Sequence, residues 1–210
     1  MKRVDLHIHT IYSDGTLTPD KIIRMARARE LAAISITDHD ITDGITPAVI
    51  AGAKYGIEVI PGVELSAQGR SGYEDEMHIL GYYINWENKA FQEKLLLFRQ
   101  ARERRAYHIL DKLFHMGVKL NEGHLFEIAG IGSIGRMHFA KALLDEHYVK
   151  DIKEAFDKYL GAGKPAYVPK LRLAPHEAIQ MIIRIGGIPV LAHPGIGGKD
   201  SRRVSAHLRR

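Results

Sequence analysis

Cysteine is absent from the 210-residue chain. Its absence excludes disulfide bonds and thiolate metal ligands, so nitrogen and oxygen atoms would have to hold any metal ion. Long apolar runs are also missing, since no stretch approaches about 18 consecutive apolar residues. We therefore expect a cytoplasmic protein that is neither exported nor embedded in a membrane.

A strong excess of one charge is lacking over most of the chain. The formal net charge is +5, and residues 197–210 contribute +4 of it, from five basic residues and Asp200. The rest of the chain is nearly neutral, so we expect no stable complex with nucleic acid. We interpret residues 197–210 as a basic tail.

Short apolar strands alternate with helical stretches in residues 1–90 and again after residue 174. This alternation predicts βα units and a parallel sheet. The predicted strands are 4–9, 32–37, 58–64, 77–84 and 188–192. Five strands are too few for a closed eight-stranded barrel, which needs roughly 250 residues. The sequence thus predicts a barrel that is incomplete at its C-terminal end, with an open sheet edge through which the chain could self-associate.

A mostly helical, charged segment interrupts this rhythm. We expect residues 91–173 to form an inserted helical subdomain, and residues 1–90 with 174–196 to form the partial barrel. Within the insertion, Arg99, Arg102 and Arg105 recur at intervals of three. A solvated helix face is the favoured interpretation for Arg99 and Arg105, whereas Arg102 is a closer choice between that and substrate binding.

Histidines and carboxylates cluster at the predicted strands and strand ends. His7 and His9 lie two apart on one strand and therefore project to the same side. The C-terminal ends of parallel strands converge in such folds, which would bring distant residues together. The candidate metal ligands are His7, His9, Asp14, His39, Glu64, His78 and His193. Seven ligands exceed the needs of one ion, so we predict two or three divalent ions bridged by Glu64.

Several motifs together resemble the polymerase and histidinol phosphatase (PHP) family. They are Asp5-Leu-His-Ile-His-Thr-Ile-Tyr-Ser-Asp14-Gly, Ile-Thr-Asp38-His-Asp40, Pro-Gly-Val-Glu64, His78-Ile-Leu-Gly, Gly135-Arg-Met-His138 and Leu-Ala-His193-Pro. The likeness covers residues 3–195. It is strongest to the bacterial branch containing nucleoside 3′,5′-bisphosphate phosphatases and 5′-to-3′ exoribonucleases. The resemblance implies an α/β fold, a distorted TIM-like (β/α)7 barrel with a helical insertion.

The resemblance also implies a cluster of manganese, iron or zinc. His7, His9 and Glu64 would hold one ion, and Glu64, His78 and His193 a second. Asp14 and His39 would contribute to a third. Members of the family close the cluster with an Asp-x-His pair after the last strands, and this chain has none after His193. The site is therefore expected to be largely built but unfinished.

Substrate contacts are expected in the insertion. The resemblance assigns Ser133 and Arg136 to phosphate binding, at a loop entering a helix whose free N–H groups favour an anion, and it places a substrate-binding arginine in the helix of Arg102. His138 would position the leaving group or act as general acid, with a packing role almost equally plausible. Asp40 is expected to orient a ligand histidine from outside the cluster.

The resulting hypothesis is hydrolysis of phosphate monoesters of nucleotides, or of short oligonucleotides at their 5′ ends. A hydroxide generated by the metal ions would attack phosphorus, with Glu64 as the central catalytic residue. One alternative is an amidohydrolase-like enzyme, although such enzymes commonly use a bridging carboxylated lysine and no lysine stands at a predicted strand end. Another is an inactive metal-binding remnant.

Overall fold

The computed structural model describes residues 2–68, 76–130, 134–171 and 173–194. The chain separates into two compact units, one formed by Met1–Leu95 with Arg172–Arg210 and the other by Leu96–Leu171. The strands are β1 Arg3–Ile8, β2 Leu31–Ile36, β3 Glu58–Gln68, β4 Glu76–Tyr82 and β5 Ile188–Leu191. The helices are α1 Pro19–Ala28, α2 Ile45–Tyr55, α3 Lys89–His115, α4 Glu122–Ala129, α5 Arg136–Asp145, α6 Ile152–Ala155, which continues into a π-helical turn Phe156–Leu160, and α7 Pro175–Arg184.

The five strands form one curled sheet, a half-barrel, in the order β1-β2-β3-β4-β5. β1, β2 and β3 are parallel, as predicted. The prediction of an all-parallel sheet is wrong for β4, which runs antiparallel to both β3 and β5. Only residues 69–75 separate β3 from β4, and a parallel crossover needs a dozen or more residues.

The reversal of β4 decides where its histidine lies. His78 is near the start of β4 and pairs with Ser66 of β3. A parallel strand would carry a residue near its start to the opposite edge of the sheet. Because β4 is antiparallel, His78 lies at the same edge as the C-terminal ends of β1, β2 and β3.

The helices against the sheet begin and end where the sequence signals them. Thr18 caps α1, its hydroxyl accepting a hydrogen bond from the Lys21 N–H at 3.4 Å, and Pro19 follows at the first helical position. α2 ends at Gly56, whose φ of 69° is in the left-handed region that favours glycine. These helices bury apolar side chains against β2 in a core that includes Ile22, Ile23, Ala26, Ile34, Ile36, Ala48 and Ala51.

The helical unit has its own apolar core, which includes Ile109, Leu113, Leu125, Phe139, Leu143 and Leu160. The expected solvated position is wrong for Arg105, which is only 9% exposed and donates from Nε to the Val168 carbonyl at 2.7 Å. Arg99 has a side chain that is 44% exposed. Six residues rotate a helix by roughly one and two-thirds turns, so these two arginines point in different directions.

In the part of the chain described above, every helix is too short or too polar to span a bilayer. The predicted basic tail, residues 197–210, lies outside the described residues, as does Ser133.

Candidate metal centre

Glu64 lies at the centre of a group of histidines and is itself only 1% exposed. Oε2 of Glu64 lies 3.1 Å from Nε2 of His7, 3.0 Å from Nε2 of His9 and 3.2 Å from Nδ1 of His39. Oε1 lies 3.0 Å from Nδ1 of His78 and 3.1 Å from Nε2 of His193. Five imidazole rings from four parts of the sheet therefore converge on one buried carboxylate.

Asp14 extends this group on the side of β1. Its Oδ1 lies 3.0 Å from Nδ1 of His9, and its Oδ2 lies 3.6 Å from Nε2 of His39. The following residue, Gly15, leaves no room for a side chain, because a Cβ there would lie 2.3 Å from the His9 carbonyl oxygen. The structure thus brings all seven predicted ligands together, and we call them the Glu64 cluster: His7, His9, Asp14, His39, Glu64, His78 and His193.

Backbone pairing fixes the positions of His39 and Glu64 at the centre of the cluster. His39 and Glu64 form a parallel bridge just beyond β2. The Asp40 N–H donates to the Glu64 carbonyl at 3.0 Å, and the Glu64 N–H donates to the Asp38 carbonyl at 3.2 Å. The end of β2 and the middle of β3 are therefore held in register, which places the His39 ring on the Glu64 carboxylate.

The donor set fits a divalent metal ion. Nε2 of His7 and Nε2 of His9 are 3.1 Å apart, and Nδ1 of His78 and Nε2 of His193 are 3.2 Å apart. Ring nitrogens this close share a hydrogen bond in the metal-free protein, and once deprotonated they are near enough to ligate one cation. Three overlapping groups have ligand atoms within 4.8 Å of one another: His7, His9 and Glu64; His9, Asp14 and His39; His39, Glu64 and His78. Imidazole and carboxylate together suit zinc, iron and manganese.

The pKa values show how strongly these groups interact. Burial lowers the pKa of His9, but the hydrogen bonds and negative charges of Asp14 and Glu64 outweigh burial and raise it to about 10. Burial raises the pKa of Glu64, yet hydrogen bonds from His78 and His9 hold that pKa well below its ordinary value. Burial also raises the pKa of Asp14. The hydrogen bond from His9 and the charges of His39 and His9 outweigh burial and lower that pKa. Both carboxylates are therefore ionised at neutral pH.

Two residues at the cluster have unusual backbone conformations. His193 has a φ of +29° and Asp40 a φ of +54°, a region that L-amino acids rarely adopt. Such strain is held only where surrounding contacts enforce it. The carboxylate of Asp40 supplies such contacts, accepting hydrogen bonds from the N–H of Ser66 at 2.8 Å and its hydroxyl at 2.9 Å. The role of Asp40 in orienting a ligand histidine stays a prediction.

Sequence reasoning gave no role to three buried polar residues beside the cluster. The carboxylate of Asp38 accepts hydrogen bonds from Thr10 and Ser13. Burial raises the pKa of Asp38, while the bonds from Ser13 and Thr10 oppose that rise. The only signal in the sequence is their position, since Asp38 precedes His39 and Thr10 follows His9.

The remaining candidates lie in the helical unit. Arg102 is partly buried on α3. The guanidinium of Arg136 lies over the rings of Phe156 and Tyr167, 5.7 and 5.6 Å from their centroids, and donates to the Leu160 carbonyl at 3.4 Å. Nδ1 of His138 accepts a hydrogen bond from the Gly135 N–H at 3.0 Å. The substrate roles of these three residues stay predictions.

A family model described as the PHP domain matches residues 5–168, more than half of the chain. The chain belongs to the PHP family. It is 37% identical over 196 residues to a 3′,5′-nucleoside bisphosphate phosphatase from Chromobacterium violaceum, covering 93% of this chain and 68% of the relative. It is 34% identical over 209 residues to the 5′-3′ exoribonuclease Rnm of Escherichia coli, covering 97% and 70%.

Solved structures of PHP-like proteins show the same fold. A Chromobacterium violaceum protein described as an amidohydrolase, with bound sulfate and no metal, matches with a TM-score of 0.87 and 33% identity over 99% of this chain and 72% of that one. A candidate metal-dependent phosphoesterase from Bifidobacterium adolescentis matches with a TM-score of 0.86 and 26% identity over 99% and 74%. The half-barrel with its helical unit is thus a PHP-type architecture.

Proposed function

We propose that this PHP chain is a metal-dependent phosphoesterase. Its substrates would be phosphate monoesters of nucleotides, in particular nucleoside 3′,5′-bisphosphates, or short oligonucleotides attacked at their 5′ ends. The observation that carries the proposal is the convergence of five imidazoles on the buried Glu64. The relatives named for bisphosphate phosphatase and exoribonuclease activity support the choice of substrate.

The Glu64 cluster would hold two or three divalent ions of manganese, iron or zinc. We assign His7, His9 and Glu64 to one ion, Glu64, His78 and His193 to a second, and Asp14 with His39 to a third. Once bound, such ions supply hydroxide near neutral pH and neutralise phosphate charge. Glu64 would belong to two ions at once, since its two oxygens face different histidines.

Residues of the helical unit would recognise the phosphate groups. Arginine binds phosphate through a planar fork of N–H donors, and the Arg136 guanidinium makes cation–π contacts with the rings of Phe156 and Tyr167. A guanidinium has five N–H groups, so one bond to the Leu160 carbonyl leaves others for a phosphate. Arg102 and Ser133 would add contacts to the same substrate.

His138 would act as the general acid or position the leaving group. Its Nδ1 accepts from the Gly135 N–H, so in the neutral ring the proton is on Nε2. That tautomer can donate a hydrogen bond to the leaving-group oxygen, whereas the general-acid role would require a ring protonated on both nitrogens. Asp40 would orient a ligand histidine from outside the cluster. Its carboxylate also holds β3 to the end of β2 through Ser66.

Phosphate release from adenosine 3′,5′-bisphosphate tests the proposed activity. Manganese-loaded protein is expected to release inorganic phosphate, and protein treated with a chelator is expected to release at least about 100-fold less, because the reaction needs the ions' charge and hydroxide. Re-addition of Mn²⁺ to the treated protein should restore the rate. A rate that is indifferent to chelation would contradict the proposal.

Two alternatives make different predictions in the same assays. An amidohydrolase would cleave amides or lactones in preference to phosphate esters, and one structural neighbour carries that name. Here the central position belongs to Glu64 rather than to a lysine, which favours the phosphoesterase. An inactive remnant would bind one metal ion or none and hydrolyse neither substrate, so metal analysis separates it from both enzymes.

We also propose that the chain self-associates through its outer strands. Within the described residues, β1 and β5 each pair on one side only, and Val4 on β1 is 53% exposed. An exposed strand edge is a template for further pairing, and an edge lysine disfavours it. Val4→Lys is therefore expected to shift sedimentation velocity profiles towards the monomer. A wild-type protein that is monomeric at every concentration would refute this proposal.

Three further expectations stay predictions. These are the division into a barrel domain and a helical insertion at residues 91 and 173, the absence of a stable nucleic-acid complex, and the cytoplasmic location.

A further inference from the structure

A buried, fully hydrogen-bonded carboxylate beside the Glu64 cluster belongs to Asp38, a residue with no role assigned above. Asp38 is 1% exposed, and its carboxylate accepts three short hydrogen bonds. Its Oδ1 accepts from the Thr10 N–H at 2.7 Å and from the Ser13 hydroxyl at 2.6 Å. Its Oδ2 accepts from the Thr10 hydroxyl at 2.7 Å. Thr10 and Ser13 are themselves 0% and 4% exposed, so water does not compete for these bonds.

These bonds shape the loop that carries Asp14. The Thr10 carbonyl accepts from the N–H groups of Ser13 and Gly15, both at 3.0 Å. The Thr10 hydroxyl also accepts from the Tyr12 N–H at 3.1 Å. The loop therefore turns tightly around Thr10, and Thr10 is held by Asp38. Asp14 stands between the two residues whose N–H groups bond to Thr10.

The backbone at Gly44 packs closely against Asp38. A Cβ at Gly44 would lie 2.6 Å from Oδ2 of Asp38 and 3.1 Å from the Thr10 hydroxyl oxygen. Because Gly44 has no side chain, the backbone just before α2 can approach the Asp38 carboxylate closely. Asp38 is thus confined both by its donors and by the backbone behind it.

We propose that Asp38 is a positioning residue that places Asp14 on the ring nitrogens of His9 and His39. It touches no substrate or metal ion itself and acts through Thr10 and Ser13. Because the effect is on Asp14, it falls on the ion that Asp14 helps to hold and leaves the ions at His78 and His193 bound. This inference rests on the proposed metal-dependent function.

A double-mutant cycle on metal affinity tests the proposal. Wild type, Asp38→Asn, Asp14→Asn and the double variant are titrated with Mn²⁺ by calorimetry, and with Co²⁺ by visible absorption, which reports ligand geometry. Asp38→Asn keeps the size of the side chain but replaces one acceptor oxygen with a donor. We expect it to weaken one class of Mn²⁺ site by about tenfold or more, as loss of outer partners of metal ligands does, and to change the Co²⁺ spectrum.

The cycle separates positioning from general stability. Adding Asp38→Asn to Asp14→Asn is expected to weaken binding by less than about twofold more, since coupled residues are not additive. Ile182→Val, a fully buried change on α7 that destabilises without touching the loop, is the control and should leave affinity and spectrum unchanged. Should Asp38→Asn fail to fold, Thr10→Val removes one of the three donors and is expected to act in the same direction, about threefold.

Each outcome bears on a different claim. An Asp38→Asn protein with wild-type affinity and spectrum, or one whose effect is undiminished in the Asp14→Asn background, would overturn the positioning role. If the wild type binds neither Mn²⁺ nor Co²⁺, the proposed function fails instead. Hydrogen exchange at the Thr10 and Ser13 amides then tests the positioning role of Asp38. Faster exchange in Asp38→Asn supports that role, and unchanged exchange rates refute it.

Discussion

Glu64→Gln is expected to weaken binding of divalent metal ions by more than about 100-fold, and to lower phosphatase activity by about three orders of magnitude, or roughly 4 kcal/mol in the barrier. Glutamine has the same size but no negative charge, so the histidines would surround an amide in place of a carboxylate. One of its two terminal atoms would also be a donor facing the ring nitrogens. Calorimetric Mn²⁺ titration and phosphate release from adenosine 3′,5′-bisphosphate measure the two effects.

A carboxylate on the same strand provides a matched control. Glu58 begins β3 and is exposed, six residues before Glu64 on the same strand. Glu58→Gln removes the same charge without entering the cluster, and it should leave both affinity and rate within about twofold of wild type. Glu64→Gln protein that still turns over at a normal rate would exclude Glu64 as the bridge.

Metal affinity is expected to rise steeply with pH because a proton on His9 competes with the metal ion. The pKa of His9 is raised to about 10, so the metal-free protein carries that proton at neutral pH. A metal ligand must be deprotonated, and below this pKa each pH unit favours the metal by about tenfold. Between pH 6 and pH 8 the apparent affinity should therefore rise by about 100-fold. The carboxylates of Glu64 and Asp14 are ionised throughout that range, since their pKa values are lowered.

Calorimetry in buffers of different ionisation enthalpy counts the released protons directly. About one proton per chain is expected from His9 at pH 7. Asp14→Asn removes a hydrogen bond and a charge that raise the pKa of His9, so its affinity should depend less steeply on pH. An affinity that stays level from pH 6 to pH 8 would show that His9 is neutral in the free protein or takes no part in binding.

The strand of His78 shows where sequence patterns were insufficient. Its apolar run predicted a strand correctly, but nothing in the run states its direction. Direction followed from the short connection between β3 and β4, which leaves no length for a crossover. His78 still reaches Glu64. β4 begins at the edge of the sheet where β3 ends, so the first residues of β4 lie at that edge.

The helical unit shows that sequence patterns are also insufficient to predict the burial of single residues. The three-residue spacing of its arginines suggested one face of α3, yet Arg105 is buried and bonds to the Val168 carbonyl. Burial on a helix depends on which neighbour covers each side, and that neighbour is 63 residues away along the chain. A local pattern has no access to such a contact.

The sequence alone determined the identity of the seven candidate ligands, because imidazoles and carboxylates at strand ends form a pattern that short-range periodicity makes visible. It also determined the parallel pairing of the first three strands, since β1 and β2 are each followed by a signalled helix long enough for a parallel crossover. Tertiary structure alone decided the burial of Arg105 and the bonds from Thr10 and Ser13 to Asp38. Each of these depends on residues far apart in the chain meeting in space, and on the direction in which their side chains point when they do.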